Sequence, residues 1–321
     1  MSAILKAQGH EVVGISLPPL ARSLYKDAGL SDLFSSESFI DIRSRVEFKA
    51  AIVNSGADVA FHLAAQPLVR QSYRTPIETY ETNVIGTLNF LDGVKDSDIK
   101  AAVVITTDKV YKNKNLLRGY LESDELGGHD PYSSSKAAAD IATQSWVASY
   151  DCKNISIARA GNVVGGGDWG ADRLIPDLVN AFAGNQSAKI RYPNSIRPWQ
   201  HVLDCLSGYL SLSEVMLKNG ETGAWNFGPT IDLNTKVSRV ADLAAKSWGE
   251  GATWRLDEDP QLHEAGYLLL DSSKARTELN WRDNLDFEST INWTFDFYKA
   301  AVAGRSSREL LEGQVTEFLA L

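Results

Sequence analysis

Cysteine is scarce in this sequence, with Cys152 and Cys205 the only two among 321 residues. Two distant thiols cannot make a disulfide framework or a four-ligand zinc site, so no metal is expected. Two buried thiols suit a reducing, cytoplasmic setting. Long apolar runs are missing too. None approaches the roughly 20 residues that cross a bilayer, and residues 1–9 lack the charged-then-apolar layout of a signal peptide. Positive charge is in deficit. Against 41 Asp and Glu stand 32 Lys and Arg, a formal net charge of −9. That balance speaks against nucleic acid and against an anionic membrane as partners. Any phosphate must be met by local arginine or lysine. The last absence is a glycine-rich fingerprint: no GxGxxG or GxxGxxG lies near the N-terminus. A doubly wound dinucleotide fold opens with a strand, a glycine turn and a helix. Here a helical piece at 2–8 comes first, Gly9 reads as its stop, and a strand follows.

What is present is the pattern of a globular α/β protein. The chain is 44% hydrophobic and 23% charged, enough for a large core and a smaller lobe. Short apolar runs at 11–16, 58–65, 101–107 and 154–160 read as strands, and helical patterns at 44–55, 76–95 and 131–150 fall between them. Such alternation predicts a parallel sheet with helices on both faces. The second half has a glycine-rich loop at 161–170 and helical patterns at 174–183, 201–218, 236–248 and 287–301. Trp225, Trp248, Trp254, Trp281 and Trp293 cluster there and read as packing.

The sharpest chemical signal is YSSSK at 132–136, preceded by Pro131, a good helix starter. Tyr132 and Lys136 share one helix face, about 6 Å apart along the axis. An ammonium near a phenol favours the phenolate, and a tyrosine so tuned can move a hydroxyl proton. Alone, this spacing arises by chance on many helix surfaces. Its context is TTDK at 106–109, ending an apolar strand. Ligands sit outside the carboxyl ends of strands in open α/β sheets, so Thr106, Thr107, Asp108 and Lys109 are placed to meet one. Asp41 and Ile42 end another short strand. Leu63, Ala64, Ala65 and Gln66 end the next, small enough for a flat ring to approach backbone. Asn83 stands early in a helix. Among the arginines, Arg191 and Arg197 are the best candidates for a pyrophosphate, because a guanidinium forks onto phosphate oxygens.

In order, DI (41–42), HLAAQ (62–66), TNVIGT (82–87), TTDK, YSSSK and RAGNVVGGGDW (159–169) resemble the extended short-chain dehydrogenase family of nucleotide-sugar enzymes, over nearly the whole chain. Within it, HLAAQPLVR (62–70), TDK, GGGDW, IRPWQHV (196–202) and HEA (263–265) are most similar to the 4,6-dehydratases that act on CDP-glucose. The dTDP-glucose branch would carry Glu in place of Lys109.

The resemblance implies a Rossmann-like doubly wound α/β fold lacking its first strand and glycine turn, about 20 residues by the usual unit length, with a smaller mixed α/β lobe. The expected division is 1–161 with about 202–230 for the cofactor domain, and 162–201 with about 231–321 for the lobe. Cofactor binding is implied for Asp41, Ile42, Leu63, Ala64, Ala65, Gln66, Asn83, Thr106, Tyr132, Lys136 and Asn162. Substrate binding is implied for Asn162, Asp168, Trp169, Arg173, Arg191, Arg197, His201 and His263. Tyr132 would oxidise C4 of the sugar, Thr107 would bond the C4 oxygen, and Asp108 would protonate the leaving C6 hydroxyl. Lys109 stands where the dTDP branch has its C5 base, and must be neutral to act as one. The implied cofactor is NAD. NADP stays open, since Ser16 ends the strand where an acid usually holds the ribose and Arg22 lies near. The implied partners are a nucleotide sugar and a second copy, docked through 76–95 and 131–150. A 4-epimerase, a dehydratase of another nucleotide sugar, or a non-catalytic fragment of this fold are the competing readings.

Overall fold

A computed structural model describes residues 1–249, 251–258 and 266–321. Helix α1 (Ser2–Ala7) ends at Gly9, whose φ is 85°. The Gly9 amide donates to the Lys6 carbonyl and the His10 amide to that of Leu5, the pairing of a glycine-stopped helix. Then come β1 (Val13–Ser16), a short α2 (Leu24–Asp27), β2 (Ser36–Phe39), α3 (Arg45–Val53), β3 (Val59–His62), α4 (Val69–Arg74) and α5 (Pro76–Tyr80). A π-turn at Glu81–Ile85 leads into α6 (Gly86–Lys95), followed by β4 (Ala101–Thr107), α7 (Pro131–Tyr150) and β5 (Ile155–Ala160). The expected helix over 76–95 is thus broken in the middle. Thr87 donates its hydroxyl to the Asn83 carbonyl there, and Asn83 sends its own amide elsewhere. Such turns gather where a helix must aim one side chain.

The second half runs β6 (Asn162–Val164), α8 (Leu174–Ala183), β7 (Ala188–Ile190), β8 (Trp199–His201), α9 (Val202–Asn219), β9 (Ala224–Phe227), α10 (Val237–Trp248) and β10 (Trp254–Leu256). It closes with α11 (Ser273–Glu278), α12 (Phe287–Val302) and α13 (Ser307–Leu319). The sequence patterns did not single out α13 or the short strands of this half. No helix of the described residues is long and apolar enough to cross a membrane.

All pairings between the named strands are parallel. The main sheet has the order β3-β4-β5-β9, with β4 and β5 buried almost throughout. Continuous apolar strands of this kind require cover on both faces. β1 pairs with β2, β6 with β8 and β7 with β10. Among the described residues no strand lies between β1 and β3, so the parallel sheet is in two pieces. Helix packing joins them. Ile42, Phe48 and Ile52 pack on Phe90, Leu91 and Val94 of α6, which in turn cover Ala102 and Val104 of β4. Each large side chain buried there contributes roughly 1.5–3 kcal/mol. Two glycines of α6 permit the approach: a Cβ at Gly86 would overlap Ile42, and one at Gly93 would crowd Ile52.

A second core gathers α8, α10, α12, β7 and β8 around Leu178, Phe182, Trp248 and Phe295. A third lies on the other face of the main sheet and takes in Trp225, Trp281 and Phe318. Residues 231–321, expected to lie wholly in the lobe, are shared between these cores. α10 and α12 pack in the lobe, while Ala275, Leu279, Val315 and Phe318 pack beside Ala101 and Val103 of β4.

Candidate active site

The site begins at the tip of β4. Thr107 ends the strand, and a single 3-10 turn, Asp108–Val110, follows. The Thr107 hydroxyl donates to Asp108 Oδ1 at 2.9 Å. Asp108 is 2% exposed, and its other oxygen has no partner. Burial pushes this carboxyl up, against Lys109, the Thr107 bond and Arg197. An acid raised in this way retains its proton longer and can donate it.

Helix α7 brings the second group. Asp130 caps it by accepting from the Ser133 amide at 3.0 Å, and Pro131 takes the first helical position. Tyr132 therefore enters the cleft from the first turn. Burial pushes its phenol up to about 12, with Thr107 and the charge of Arg173 opposing. The expected lowering by Lys136 does not appear. Lys136 is buried and donates to the Ile105 carbonyl at 2.8 Å, and burial brings its ammonium down to about 8. The ammonium is bonded to the strand carbonyl, and desolvation sets the direction of both shifts.

Behind these groups lies an ion pair that the sequence reading overlooked. Arg159 and Asp140 meet at 2.8 Å with side-chain exposures of 1% and 0%. Thr106 donates to Asp140, and Tyr111 accepts from Arg159 and donates to Asn226. The Thr106 side chain is thus committed to the ion pair. The legible signal was Arg159 itself, a charge inside an otherwise apolar strand, which must be paired to be buried.

A cavity of about 880 Å³ opens in front of the β4 tip. Of the residues singled out above, Thr107, Asp108, Lys109, Tyr132, Asn162, Asp168, Arg173, Arg191 and Arg197 line it. Arg173 pairs with Asp168 at 2.7 Å, and Arg191 donates to the Asp172 carbonyl at 3.3 Å. Arg197 is 2% exposed and donates to the Ile196 carbonyl. Trp169 and His201 lie elsewhere. The Trp169 indole donates to Asp27 and carries the Arg22 guanidinium 3.5 Å above its ring. His201 caps α9 by accepting from the Leu203 amide, and burial holds it down at about 4. His263 falls outside the described residues. The sequence reading also passed over Arg70, Asp172 and Asp177, which line the same cavity.

The other cofactor candidates follow the carboxyl ends of β2 and β3. The Asp41 carboxylate is forked by Arg43 at 2.6 Å, and Ile42 is buried in the core. Leu63 is exposed, and Ala64 and Ala65 are half-buried. Asn83 accepts from the Gln66 amide and donates to the Gln66 carbonyl and to Ser135, so it fastens the loop after β3 to α7. Small residues, the Tyr132–Lys136 face and Asn162 fit the nicotinamide half of a dinucleotide, a flat ring with one polar edge. For the pyrophosphate, the sequence ahead of β1 offers no glycine-rich turn.

A 40% identical relative, CDP-glucose 4,6-dehydratase of Salmonella typhimurium, aligns over 331 residues, covering 99% of this chain and 92% of the relative. dTDP-glucose 4,6-dehydratase 1 of Escherichia coli is 28% identical, covering 84% of this chain and 81% of its own. Among solved structures, the UDP-glucose 4-epimerase of Stenotrophomonas maltophila superimposes with a TM-score of 0.82 at 19% identity, over 95% of each chain. The dTDP-glucose 4,6-dehydratase of Bacillus anthracis, in complex with NAD, gives 0.76 at 21% identity, over 92% of this chain and 90% of that one. These two show the shared fold. The sequence pattern of the NAD dependent epimerase/dehydratase family matches residues 1–228. With the Tyr132–Lys136 helix facing the Thr107–Asp108 strand tip across one cleft, this chain belongs to that family.

Proposed function

We propose that this protein is a 4,6-dehydratase converting CDP-glucose to CDP-4-dehydro-6-deoxy-glucose. One observation carries the reading: a buried carboxyl with an unpartnered oxygen, Asp108, stands beside Thr107 and Tyr132 in the cavity. The 40% identical relative supports CDP-glucose as the substrate.

NAD would be held by Asp41, Ile42, Leu63–Gln66, Asn83, Lys136 and Asn162, and would supply the acceptor for the C4 hydride and its return to C6. The chain supplies the proton chemistry. Tyr132 takes the C4 hydroxyl proton, and Thr107 and Arg173 reduce the cost of its phenolate. The 4-ketone acidifies the C5 proton, which Lys109 takes and gives back to C5 once C6 has received the hydride. Asp108 gives its proton to the C6 hydroxyl, which leaves as water. The sum is loss of one water with no net oxidation. Arg173 and Arg197 supply positive charge for the diphosphate.

A dimer accompanies this reading. Ile77 is 71% exposed on α5, Ile141 is 52% exposed on α7, and Tyr73 is exposed nearby. An apolar face on two neighbouring helices suits a second copy. A cytoplasmic location agrees with the two free thiols.

The test is mass spectrometry of the products after incubation with NAD and CDP-glucose. A CDP-sugar lighter by one water, absorbing in alkali as a 4-ketone, is expected. A C4 epimer of unchanged mass would replace the dehydratase reading with an epimerase one.

A further inference from the structure

The cavity wall carries more charge than the proton chemistry uses. Thr107, Asp108 and Tyr132 form its reacting group. Arg173 lies near enough to act on Tyr132, and Arg197 near enough to act on Asp108. These two guanidiniums therefore belong to the sugar's neighbourhood, within reach of the diphosphate it carries. Asp177, in the first turn of α8, belongs to a different neighbourhood. The charges acting on it are Arg191, Asp172 and Arg70, and none of the reacting groups is among them. Beyond the diphosphate of a nucleotide sugar comes its base.

Asp177 also differs from its acidic neighbours. Asp168 is paired with Arg173, and Asp172 with Arg70 at 3.4 Å. Asp177 lines the cavity, yet its side chain makes no hydrogen bond or ion pair among the described residues. It is open to solvent, but the surrounding protein desolvates it enough to push its carboxyl up, while Arg191 and Arg70 oppose that shift and favour its charge. Apolar walls from Leu174, Pro176 and Val69 stand alongside. An acceptor without a donor, next to a guanidinium and between apolar walls, is the complement of a flat heterocycle with an amino group. No group of three His, Cys, Asp or Glu among the described residues could hold a metal ion, which leaves a cation a weaker occupant.

Resting on the dehydratase reading, we infer that Asp177 reads the nucleobase, accepting a hydrogen bond from the exocyclic amino group of cytosine while Arg191 donates to its neighbouring acceptors. A carboxylate can only accept, and a guanidinium can only donate. Cytosine offers an amino donor with acceptors at N3 and O2. Uracil and thymine place a carbonyl oxygen where the amino group stands, and an N–H at N3. Against the Asp177–Arg191 pair they set acceptor on acceptor and donor on donor. Rejection by unpaired polar groups is stronger than rejection by shape.

The test is calorimetric titration of the full chain with CDP, UDP and dTDP, alongside turnover of the three glucose conjugates. The intact protein should bind CDP at least about tenfold more tightly than UDP. Asp177→Asn, whose amide can present either a donor or an acceptor, should bring the CDP-to-UDP ratio close to one. Asp177→Ser, compatible with a helix start, should do the same, and far-UV circular dichroism checks that both fold. An unchanged ratio in both variants would overturn the assignment of Asp177, even if the intact enzyme dehydrates CDP-glucose. Equal binding of CDP and UDP by the intact protein would overturn it as well. Failure of all three conjugates to lose water would instead strike the dehydratase reading, and the binding ratio would still judge Asp177.

Discussion

The two pieces of the parallel sheet are built on different terms. In the β4–β5 piece every strand position but one is buried, and each charged group there has a partner close by: Arg159 meets Asp140, and Lys136 meets the Ile105 carbonyl. The β1–β2 piece has two four-residue strands with exposed ends, and it reaches the rest of the sheet through α3 and α6. The first piece holds the proton chemistry, and rigidity there is what keeps a proton donor and acceptor in register. The second is held by side-chain packing across a gap, without ladder hydrogen bonds to β3. A site can therefore be complete at its reacting end while the sheet beside it is interrupted.

The largest effect is expected within the first piece. Tyr132→Phe removes the proton acceptor and leaves the cavity wall, so kcat should fall about 10³-fold or more with the melting temperature within about 2 °C. Steady-state assays with thermal melts check this, and near-normal turnover would displace Tyr132 from its role.

The next concerns β3, which borders the gap. His62 stacks on Phe90 and bonds Thr87, and burial holds it down at about 3, with the Lys136 charge adding to this. Its native value lies below its ordinary 6.5. The unfolded chain therefore binds a proton first as pH falls, and this group withdraws stability from about pH 6.5 downward, by roughly 3 kcal/mol at pH 4. His201, at about 4, acts in the same direction. Asp204, raised to about 6, opposes both at the acid end. His62→Phe keeps the stack and should flatten the acid limb of stability in urea melts between pH 6.5 and 4.

Hydrogen exchange then compares the pieces directly. Amides of Val13 and Ile15 should exchange about 100-fold faster than those of Val103 and Ile157, since opening β1–β2 exposes less buried surface. Equal protection would mean that the two pieces open as one unit. The smallest effect is at the joint. Gly86→Val drives a side chain into Ile42 and should cost about 1–3 kcal/mol, without changing the KM for CDP-glucose more than about twofold.

Several elements were legible in advance for plain reasons. The 131–150 and 174–183 helices match the structure at both ends, because Pro131 and the apolar spacing of 174–183 are local signals. Thr107, Asp108, Tyr132 and Lys136 stood out through spacing within single segments. Trp169 and His201 show the limit of that reading. Both sit in motifs, yet Trp169 turns to Asp27, 142 residues away in sequence, and His201 caps a helix. Nothing local distinguishes an indole facing a substrate from one facing a neighbouring segment. Asp177 was overlooked for the opposite reason, since one acid at a helix start looks like any other until Arg191, just after β7, and Arg70 of α4 are in place.

The amino-acid sequence by itself determined that the strands run parallel, that α7 starts at Pro131 with a tyrosine and a lysine in its first turns, and that a threonine and an acid stand at the end of β4. Those outcomes follow from periodicity and capping, which act within a few residues. Only the tertiary structure decided which charges are desolvated, why the Tyr132 phenol lies at about 12 rather than below its usual value, and which acid on the cavity wall lacks a partner. Desolvation and pairing depend on groups brought together from distant parts of the chain, and no local pattern encodes their distances.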